Sequence, residues 1–419
     1  MNKCYPDKSG ADLFRQRCQN ILDATNFVEP DKVPVGMDYL NWPYGYAGVH
    51  LDEVIHDPEA NADAYCKFMN DIEFDFTMNP GYYFAYDAYE ALGSDAYLLT
   101  EDRCTVQHNQ ATHKFMDFEE YEILKKSYHY FSGEYYPKKV VPAFKKSRTE
   151  AYEALKKAAE CVDRLELTKS LITRKCVYEH QIVPLGMCPQ VFGVSQEEKD
   201  AYGLRDYSQV YFAPVDVLFD TLRGMEDLFC DLIDDPDTVE EACAAIGKVM
   251  SMAPPVPDHE FKSKPFPFGF SIYHSASYLN AEMYDRFWFQ GFKKAMLPAA
   301  EKGLKIYLKG EGAFLHTIER FKEFPKGSII IQLDQDDPYE AYKRIGGHQV
   351  LCTGLNAVDL IAYNKQECFD KIKRCFDTFA PGGGFMFYQN MPLFSPGDAK
   401  PEVVREVWEF ANECAKGRY

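Results

Sequence analysis

The sequence predicts an α/β protein that folds as a single (β/α)8 TIM barrel with insertions before and between its units. Beyond Pro254, short apolar segments alternate with helical ones, and only a few residues connect them. The apolar segments are continuous rather than alternating, which is typical of parallel strands buried on both faces. No GxGxxG motif opens a helix, so a dinucleotide-binding sheet is disfavoured.

The second half of the chain gives the clearest element order. Five segments are predicted as strands: "FGFSIYH", "LKIYL", "SIIIQL", "QVLCTG" and "GFMFYQ". Four segments between them have helical spacing: "AEMYDRFWFQGFKKAMLPAAEKG", "GAFLHTIERFKEF", "DPYEAYKRIG" and "KQECFDKIKRCFDTFA". At least five βα units in series, in a chain of 419 residues, favour a barrel over an open sheet.

The first half is interrupted more often by turn residues. A short strand is predicted from about Val33 to Met37, followed by an aromatic loop, and then a helix that begins after Asp57. Amphipathic helices follow from Glu119 to about Leu171, and a later helix has Asp235 or Asp237 as its cap. The Pro-rich segment Met252–Gly269 is short enough to be a surface loop, so we expect one domain over residues 1–419.

Composition limits the classes of function. The chain is 46% hydrophobic, has no apolar run long enough for a membrane span, and begins with no signal-like segment, so a cytoplasmic enzyme without membrane contact is expected. Its 46 basic and 65 acidic residues give a net charge of -19, which makes nucleic acid an unfavourable partner. Thirteen cysteines without a CxxC pair indicate free thiols in a reducing compartment.

Polar residues follow the predicted strands at the ends where a barrel places its active site. Parallel strands share one mouth, so these residues are expected to converge there. His274 at the end of "FSIYH" is a candidate ligand or proton donor. His348, before a strand, could instead lie at the opposite rim, and Asp334 and Asp336 could simply cap a helix. The other candidates are Glu311, Gln335, Cys352, Asn356 and Gln389.

Sequence motifs over nearly the whole chain resemble the uroporphyrinogen decarboxylase superfamily. The C-terminal half carries "KIYLKGEG", "LDQDDPYEAYKRIGGHQVLCTGLN" and "FAPGGGF". Earlier matches are "DKVPVGMDYLNWPYGYAGVHLDEVIHDPEANADAYCKF", "FMDFEEYEILKKSYHYF" and "DTLRGMEDLFCDLIDDPDTVEEA". The resemblance implies a (β/α)8 barrel and one of two activities: decarboxylation of a tetrapyrrole acid, or methyl transfer to or from a corrinoid protein.

Departures from each kind of enzyme narrow this choice. The decarboxylases carry an arginine-rich segment after the first strand, whereas Val33 to His50 contains no arginine and offers Tyr39, Trp42 and Tyr44. Those rings suit a flat neutral ligand, although a large aromatic core is the simpler explanation for aromatic residues in general. The methyltransferases carry His-x-Cys-Gly and Pro-Gly-Cys-Gly, where this chain has "YLKGEG" and "APGGGF", so Gly383 replaces one thiolate and Glu311 the other.

A non-thiolate zinc site is the replacement that the resemblance suggests. Zinc accepts carboxylate and imidazole ligands and needs three of them plus an open position. The expected set is Glu311, Asp336 and His348, with Asp334 as a substitute for Asp336. A set of harder ligands would suit polarisation of an ether oxygen.

The sequence therefore predicts a methyltransferase that moves a methyl group from a small donor, such as a methoxylated aromatic, to a corrinoid held by a separate protein. No Asp-x-His-x-x-Gly signature is present, so the corrinoid would come from that partner. Glu311, Asp38 and His274 are the expected catalytic residues, and Tyr39, Trp42, Tyr44 and Gln389 the substrate-binding ones. The alternatives are a tetrapyrrole decarboxylase using Asp38, or a catalytically silent paralogue. The oligomeric state is open, with a homodimer as one alternative.

Overall fold

The structure is a computed structural model that describes residues 8–78, 81, 84–109, 115–186, 210–250 and 268–417. Most of the Pro-rich segment Met252–Gly269 therefore lies outside the described residues, and its assignment to a surface loop stays a prediction.

A parallel sheet of six strands forms the centre of the part of the chain that the structure describes. The strands in chain order are β1 (Phe76–Thr77), β2 (Tyr97–Leu99), β3 (Val106–His108), β4 (Val183–Pro184), β5 (Val210–Tyr211), β6 (Phe268–Tyr273), β7 (Lys305–Gly310), β8 (Ile329–Gln332), β9 (Val350–Leu355) and β10 (Phe385–Gln389). The six-stranded sheet has the order β10-β9-β8-β7-β6-β5, while β1 pairs in parallel with β4 and β2 pairs antiparallel with β3. The five strands predicted in the second half are confirmed.

The segment predicted as the first strand joins the two parallel sheets. Val35 bridges Phe387 of β10, and Gly36 bridges Phe76 of β1, both in the parallel sense. The segment around Val35 and Gly36 thus lies between β10, the last strand, and β1, which is the neighbour order of a barrel. The parallel α/β fold is confirmed. Closure into eight strands is not, because the pairings within the described ranges include none between β4 and β5.

Helices precede and follow most of these strands. The α-helices are Lys8–Thr25, Trp42–Ala47, Leu51–Val54, Pro58–Cys66, Tyr86–Ala91, Tyr121–Lys126, Tyr128–Tyr130, Tyr136–Val140, Arg148–Arg174, Pro214–Val217, Met225–Asp234, Pro236–Met250, Ala281–Met283, Gln290–Glu301, Pro338–Ile345, Ala357–Ile361, Lys365–Phe379 and Pro401–Ala415. The π-helical turns are Phe131–Tyr135, Lys175–Glu179, Leu218–Leu222 and Tyr284–Phe289. The 3-10 turns are Lys67–Asn70, Phe118–Glu120, Pro142–Lys145, Ser275–Tyr278 and Ile318–Glu323.

Local capping explains where several helices begin. Asp57 accepts the backbone N–H groups of Glu59 and Ala60, so the predicted start is confirmed. Asp235 accepts the N–H of Thr238, which makes it the cap of the helix Pro236–Met250. The predicted helix in "GAFLHTIERFKEF" is only a 3-10 turn at Ile318–Glu323. Within the described ranges, no helix is long and apolar enough to cross a membrane.

The two faces of the sheet pack into different cores. Tyr307 of β7 belongs to an inner cluster with Phe270, Ile330, Cys352, Met386 and Tyr388. Its neighbours Ile306 and Leu308 belong to the outer cluster, which the helices cover. Side chains of a strand alternate between faces, so Lys309 lies on the same inner face as Tyr307.

The amino ends of the strands carry a buried ionic network. The Asp75 carboxylate lies 3.0 Å from Arg17 Nε and 2.9 Å from Lys32 Nζ, and it accepts the N–H of Val35 at 3.0 Å. Asp75 precedes β1 directly, so this network fixes the first strands and the first helix together.

Candidate active site

An imidazole ring between two carboxylates lies at the carboxyl ends of β6 and β7. Tyr273 pairs with Gly310, so the next residues, His274 and Glu311, leave the sheet side by side. His274 Nδ1 meets Glu311 Oε2 in a short hydrogen bond, and Nε2 lies 2.9 Å from Asp220 Oδ1. The structure therefore brings together His274 and Glu311, which the sequence predicted separately as catalytic residues.

The two carboxylates keep this ring protonated. Burial alone would lower the pKa of His274, but the hydrogen bonds to Asp220 and Glu311 raise it to about 11. Burial would likewise raise the pKa of Glu311, but His274 and Lys309 lower it to about 2. At neutral pH the group is an imidazolium with 27% of its side chain exposed, and it can donate a proton to a ligand at the mouth.

Lys309, with 12% of its side chain exposed, interacts electrostatically with both Glu311 and Asp38. Lys309 Nζ lies 3.3 Å from Glu311 Oε1. Burial would lower the pKa of Lys309, but Glu311 and Asp38 raise it, so the ammonium form is retained. Asp38 follows the bridging segment that contains Val35 and Gly36, and it is fully buried.

Asp38 has an unusual environment for a carboxylate. Neither of its oxygens makes a close hydrogen bond in the described ranges. The Tyr388 hydroxyl and the Tyr39 amide approach it and, with Lys309, work to lower its pKa. Burial outweighs them and raises the pKa of Asp38.

Asp334 and Asp336 hold the loop that presents Glu311. The N–H of Gly312 donates to Asp334 Oδ2 at 2.6 Å, and the N–H of Phe314 donates to Asp336 Oδ2 at 2.7 Å. Burial raises the pKa of both carboxyls, and these amides oppose the change. Both residues lie beside the site, as predicted, but their main contacts are to backbone amides.

Gln389 and Asn390 complete the floor of the site at the end of β10. The Gln389 side chain donates to the carbonyl of Asp38 in a short hydrogen bond. Asn390 Nδ2 donates to the carbonyl of Asp334 at 2.9 Å, and its Oδ1 accepts from Thr353 at 3.0 Å. Gln389 is fully buried at the carboxyl end of β10, and its role in substrate binding stays a prediction.

Aromatic side chains line the other side of His274. The Phe219 ring lies nearly perpendicular to the imidazole, with centroids 5.0 Å apart. Tyr278 stacks on Phe219 at 5.8 Å and is 61% exposed. Ser275, the residue after His274, is held in place because its N–H donates to the buried Asp216 at 3.0 Å.

The predicted aromatic donor pocket is wrong. Tyr39, Trp42 and Tyr44 are almost fully buried in the main hydrophobic core. Trp42 Nε1 donates to the carbonyl of Ala399 at 2.7 Å, and the Tyr44 hydroxyl donates to Asn61 at 2.8 Å. Tyr39 and Trp42 pack edge-on against Phe68, and Tyr44 packs edge-on against Tyr65, so the simpler alternative of a large aromatic core is the correct one.

The predicted zinc triad does not assemble. His348 precedes β9, its Nε2 faces the carbonyl of Phe324 at 3.1 Å, and its own carbonyl accepts from Gly327 before β8. It therefore lies at the amino ends of the strands, opposite Glu311 and Asp336. Within the described parts of the chain, no three His, Cys, Asp or Glu side chains are grouped to hold a metal ion.

The position assigned to the second family cysteine is also wrong. Gly383 precedes β10 and has φ +79°, where an added Cβ would lie 2.7 Å from the carbonyl oxygen of Val28. The glycine turn thus packs against the chain itself at the amino end of the sheet. The residue that follows β10 at the active-site end is Asn390.

Two members of the site were missed by the sequence analysis. A lysine inside the apolar strand "LKIYLKG" is a signal for an inward-facing charge, and Lys309 could have been found from it. Asp220 lies in the π-helical turn Leu218–Leu222, and nothing in "VLFDTL" distinguishes it from a solvated surface acid.

Comparison with known proteins identifies the fold rather than the family. No protein-family model matches the chain, and no curated protein matches it in sequence. Twenty-two solved chains match it in structure. One is a methyltransferase from Methanosarcina mazei, with a TM-score of 0.51 and 14% sequence identity over 95% of this chain and 98% of that chain. At this identity the likeness shows a shared fold.

Proposed function

We propose that this chain is a methyltransferase that moves a methyl group from a small donor, such as a methoxylated aromatic, to the cobalt of a separate corrinoid protein. The observation that carries the proposal is the imidazolium of His274, held between Glu311 and Asp220 at the mouth of the sheet. The motifs that resemble the uroporphyrinogen decarboxylase superfamily, and the shared fold with a methyltransferase, support it. The proposal includes a closed (β/α)8 barrel, a single domain and a cytoplasmic location.

The reaction would break a carbon–oxygen bond of the donor. The electron pair of that bond stays on the oxygen, and the methyl carbon is transferred to cobalt, which is formally oxidised from +1 to +3. The corrinoid, when brought by its partner, supplies the low-valent cobalt nucleophile. The residues of this chain then have to bind the donor, orient its methyl group towards the mouth and neutralise the departing oxygen.

His274 is suited to protonate the departing oxygen. Asp220 and Glu311 raise its pKa to about 11, so the ring carries its proton before the donor binds. Asp220 is about half exposed, so the donor oxygen could replace it at Nε2 while Glu311 holds Nδ1. Phe219 and Tyr278 offer faces for the aromatic ring of the donor.

Zinc has no role in this proposal, because the residues do not fit it. His348 lies at the other end of the strands, and both nitrogens of His274 are engaged by carboxylates. An imidazolium has no free lone pair with which to bind a metal.

The test follows methyl transfer with free cobalamin as the acceptor. Purified protein is mixed with chemically reduced cob(I)alamin and a series of methoxylated aromatics whose phenols differ in acidity, and methylcobalamin is followed by absorbance. We expect His274→Gln to slow transfer by about 100-fold. The transfer rate of this variant should also depend more steeply on the acidity of the leaving phenol, since the phenol oxygen would leave without a proton. His129→Gln, an exposed histidine elsewhere, is the matched control.

Other outcomes would favour the alternatives. A decarboxylase is suggested by the buried Asp38, and release of carbon dioxide from a carboxylated tetrapyrrole without methyl transfer would support it. Failure of both assays would favour the catalytically silent paralogue. Equal transfer rates in wild type and His274→Gln would remove His274 as the proton donor.

A further inference from the structure

The helix Arg148–Arg174 buries only one of its sides. That side packs against the helices Pro58–Cys66 and Tyr86–Ala91. Its buried side chains are Ala158, Cys161, Leu165, Thr168, Ser170, Ile172 and Thr173. Residues 148–157 contribute none of them, so the first half of the helix lies on the surface of the molecule.

The outward side of this helix carries a seam in which intervals of four and three positions alternate. In chain order the seam consists of Arg148, Tyr152, Leu155, Ala159, Val162 and Glu166, all of which are exposed. Tyr152 is 65% exposed, Leu155 41% and Val162 45%. Scattered apolar residues on a surface are ordinary, but apolar residues at alternating intervals of three and four are typical of a helix that pairs with another helix.

The seam has the same spacing in both directions from its centre at Lys157. Two copies that run antiparallel would therefore place Tyr152 opposite Val162 of the second copy, and Leu155 opposite Ala159 of the second copy. Each layer then combines a large side chain with a smaller one, which suits close packing of two helices.

The charges at the ends of the seam favour the antiparallel arrangement. It places the Arg148 guanidinium opposite the Glu166 carboxylate of the second copy, once at each end, whereas a parallel pair would place like charges opposite each other. Glu166 lies 3.0 Å from Lys169 of its own helix, but 49% of its side chain is exposed, so a second cation can reach it. The Lys156 side chains of the two copies meet at the centre, where Glu160 of each copy lies within one turn to neutralise them.

A second copy suits this surface better than a membrane or a nucleic acid does. The seam carries both signs of charge, and the chain as a whole carries -19, which opposes an extended polyanion. From Arg148 to Glu166 the seam is about 27 Å long, at about 1.5 Å per residue. A single pair of helices of this length buries less than the roughly 800 Å² per partner of a standard interface, so the association should be weak.

We propose that the chain forms a two-fold symmetric dimer in which the helices Arg148–Arg174 of two copies pair antiparallel, centred on Lys157. Both copies contribute the same surface, as a closed two-fold interface requires. The interface shares no residue with the site around His274. Dimer formation needs no ligand and no chemical step, so this inference does not depend on the proposed function.

The test measures the mass of the full-length protein by sedimentation as a function of its concentration. We expect a monomer–dimer equilibrium with a Kd of roughly 10 µM. Leu155→Glu should weaken it by about 100-fold, because the change places a carboxylate in both central layers. Leu13→Glu is the matched control: it replaces a leucine of nearly equal exposure, 40%, on the helix Lys8–Thr25 and should leave the equilibrium unchanged.

A charge exchange tests the direction of pairing. Arg148→Glu and Glu166→Arg each place like charges opposite each other at both ends of an antiparallel pair, and each should weaken the dimer by about tenfold. The double variant restores opposite charges with their signs reversed and should recover most of the affinity. Both positions are exposed, and thermal melting by circular dichroism verifies that each variant is folded.

Several results would overturn the inference. A wild-type protein that stays monomeric up to about 100 µM would do so, as would a dimer that Leu155→Glu leaves intact. A dimer that Leu155→Glu weakens but that neither charge variant changes would contradict the antiparallel arrangement, because a parallel pair has like charges at both ends already. A double variant no stronger than the two single variants would contradict it as well.

Discussion

At the amino ends of the strands, the buried carboxylate of Asp75 meets Arg17, Lys32 and the N–H of Val35, all within 3.0 Å. At the carboxyl ends, the equally buried carboxylate of Asp38 makes no close hydrogen bond in the described ranges. Two buried aspartates thus have very different surroundings at the two ends of the strands. A satisfied ionic network stabilises the fold, whereas a buried carboxylate without close hydrogen bonds costs stability.

The largest expected effect is a difference in stability between two identical substitutions at these ends. Asp75→Asn should lower the free energy of unfolding by about 3–5 kcal/mol, because it leaves the buried Arg17 without its counterion, while Lys32 keeps only Glu73, at 3.2 Å, among the described residues. Asp38→Asn should change it by only about 1 kcal/mol, because burial already disfavours the charged form of this carboxyl and it makes no close hydrogen bond in the described ranges. Urea denaturation measures both, and similar losses in the two variants would contradict the comparison.

A smaller effect concerns the ion pair at the active-site end and its dependence on pH. Glu311→Gln should cost about 1–2 kcal/mol near neutral pH, since it weakens the charge-assisted hydrogen bond to the partly exposed His274 and removes the counterion of Lys309. The folded-state pKa of His274, about 11, lies above its ordinary value. Its contribution to stability is therefore complete below about pH 6.5 and is lost as the pH rises towards 11.

The carboxylate side of the pair has the opposite dependence. The pKa of Glu311 is lowered to about 2, so its contribution is complete above its ordinary value and is lost as the pH falls towards 2. Denaturation of wild type and Glu311→Gln across this range, with NMR titration of the His274 ring, checks both signs. A His274 ring that titrates at its ordinary pKa in wild type would show that the two carboxylates do not hold the proton.

The smallest effect sharpens the distinction between core and site. Tyr44→Phe removes one buried hydrogen bond, to Asn61, and should cost about 1 kcal/mol. Because Tyr44 lies in the aromatic core, the affinity for the methoxy-aromatic ligands above should not change. Tyr278→Ala, at the exposed ring near His274, should weaken that affinity. If calorimetry instead shows weaker binding for Tyr44→Phe and unchanged binding for Tyr278→Ala, the donor pocket lies in the first aromatic loop, as the sequence predicted.

The sequence by itself determined the element order and the class of fold. Continuous apolar segments at regular spacing can be buried only as parallel strands under helices, and so the second half of the sheet was predicted strand by strand. Strand ends also indicated Glu311, His274 and Gln389, because the carboxyl ends of parallel strands all lie at the same edge of the sheet. Asp57 was identified as a helix cap from purely local chemistry.

Only the tertiary structure decided which polar residues meet. His348 and Glu311 each adjoin a strand, but the sequence does not reveal that one lies at the amino end of the sheet and the other at the carboxyl end. The rings after the first strand have the composition of a pocket, yet they are buried because neighbouring elements supply Phe68 and Tyr65 against them. Asp220 contacts His274 across 54 positions. Such contacts depend on how distant segments pack, and local periodicity carries no information about that packing.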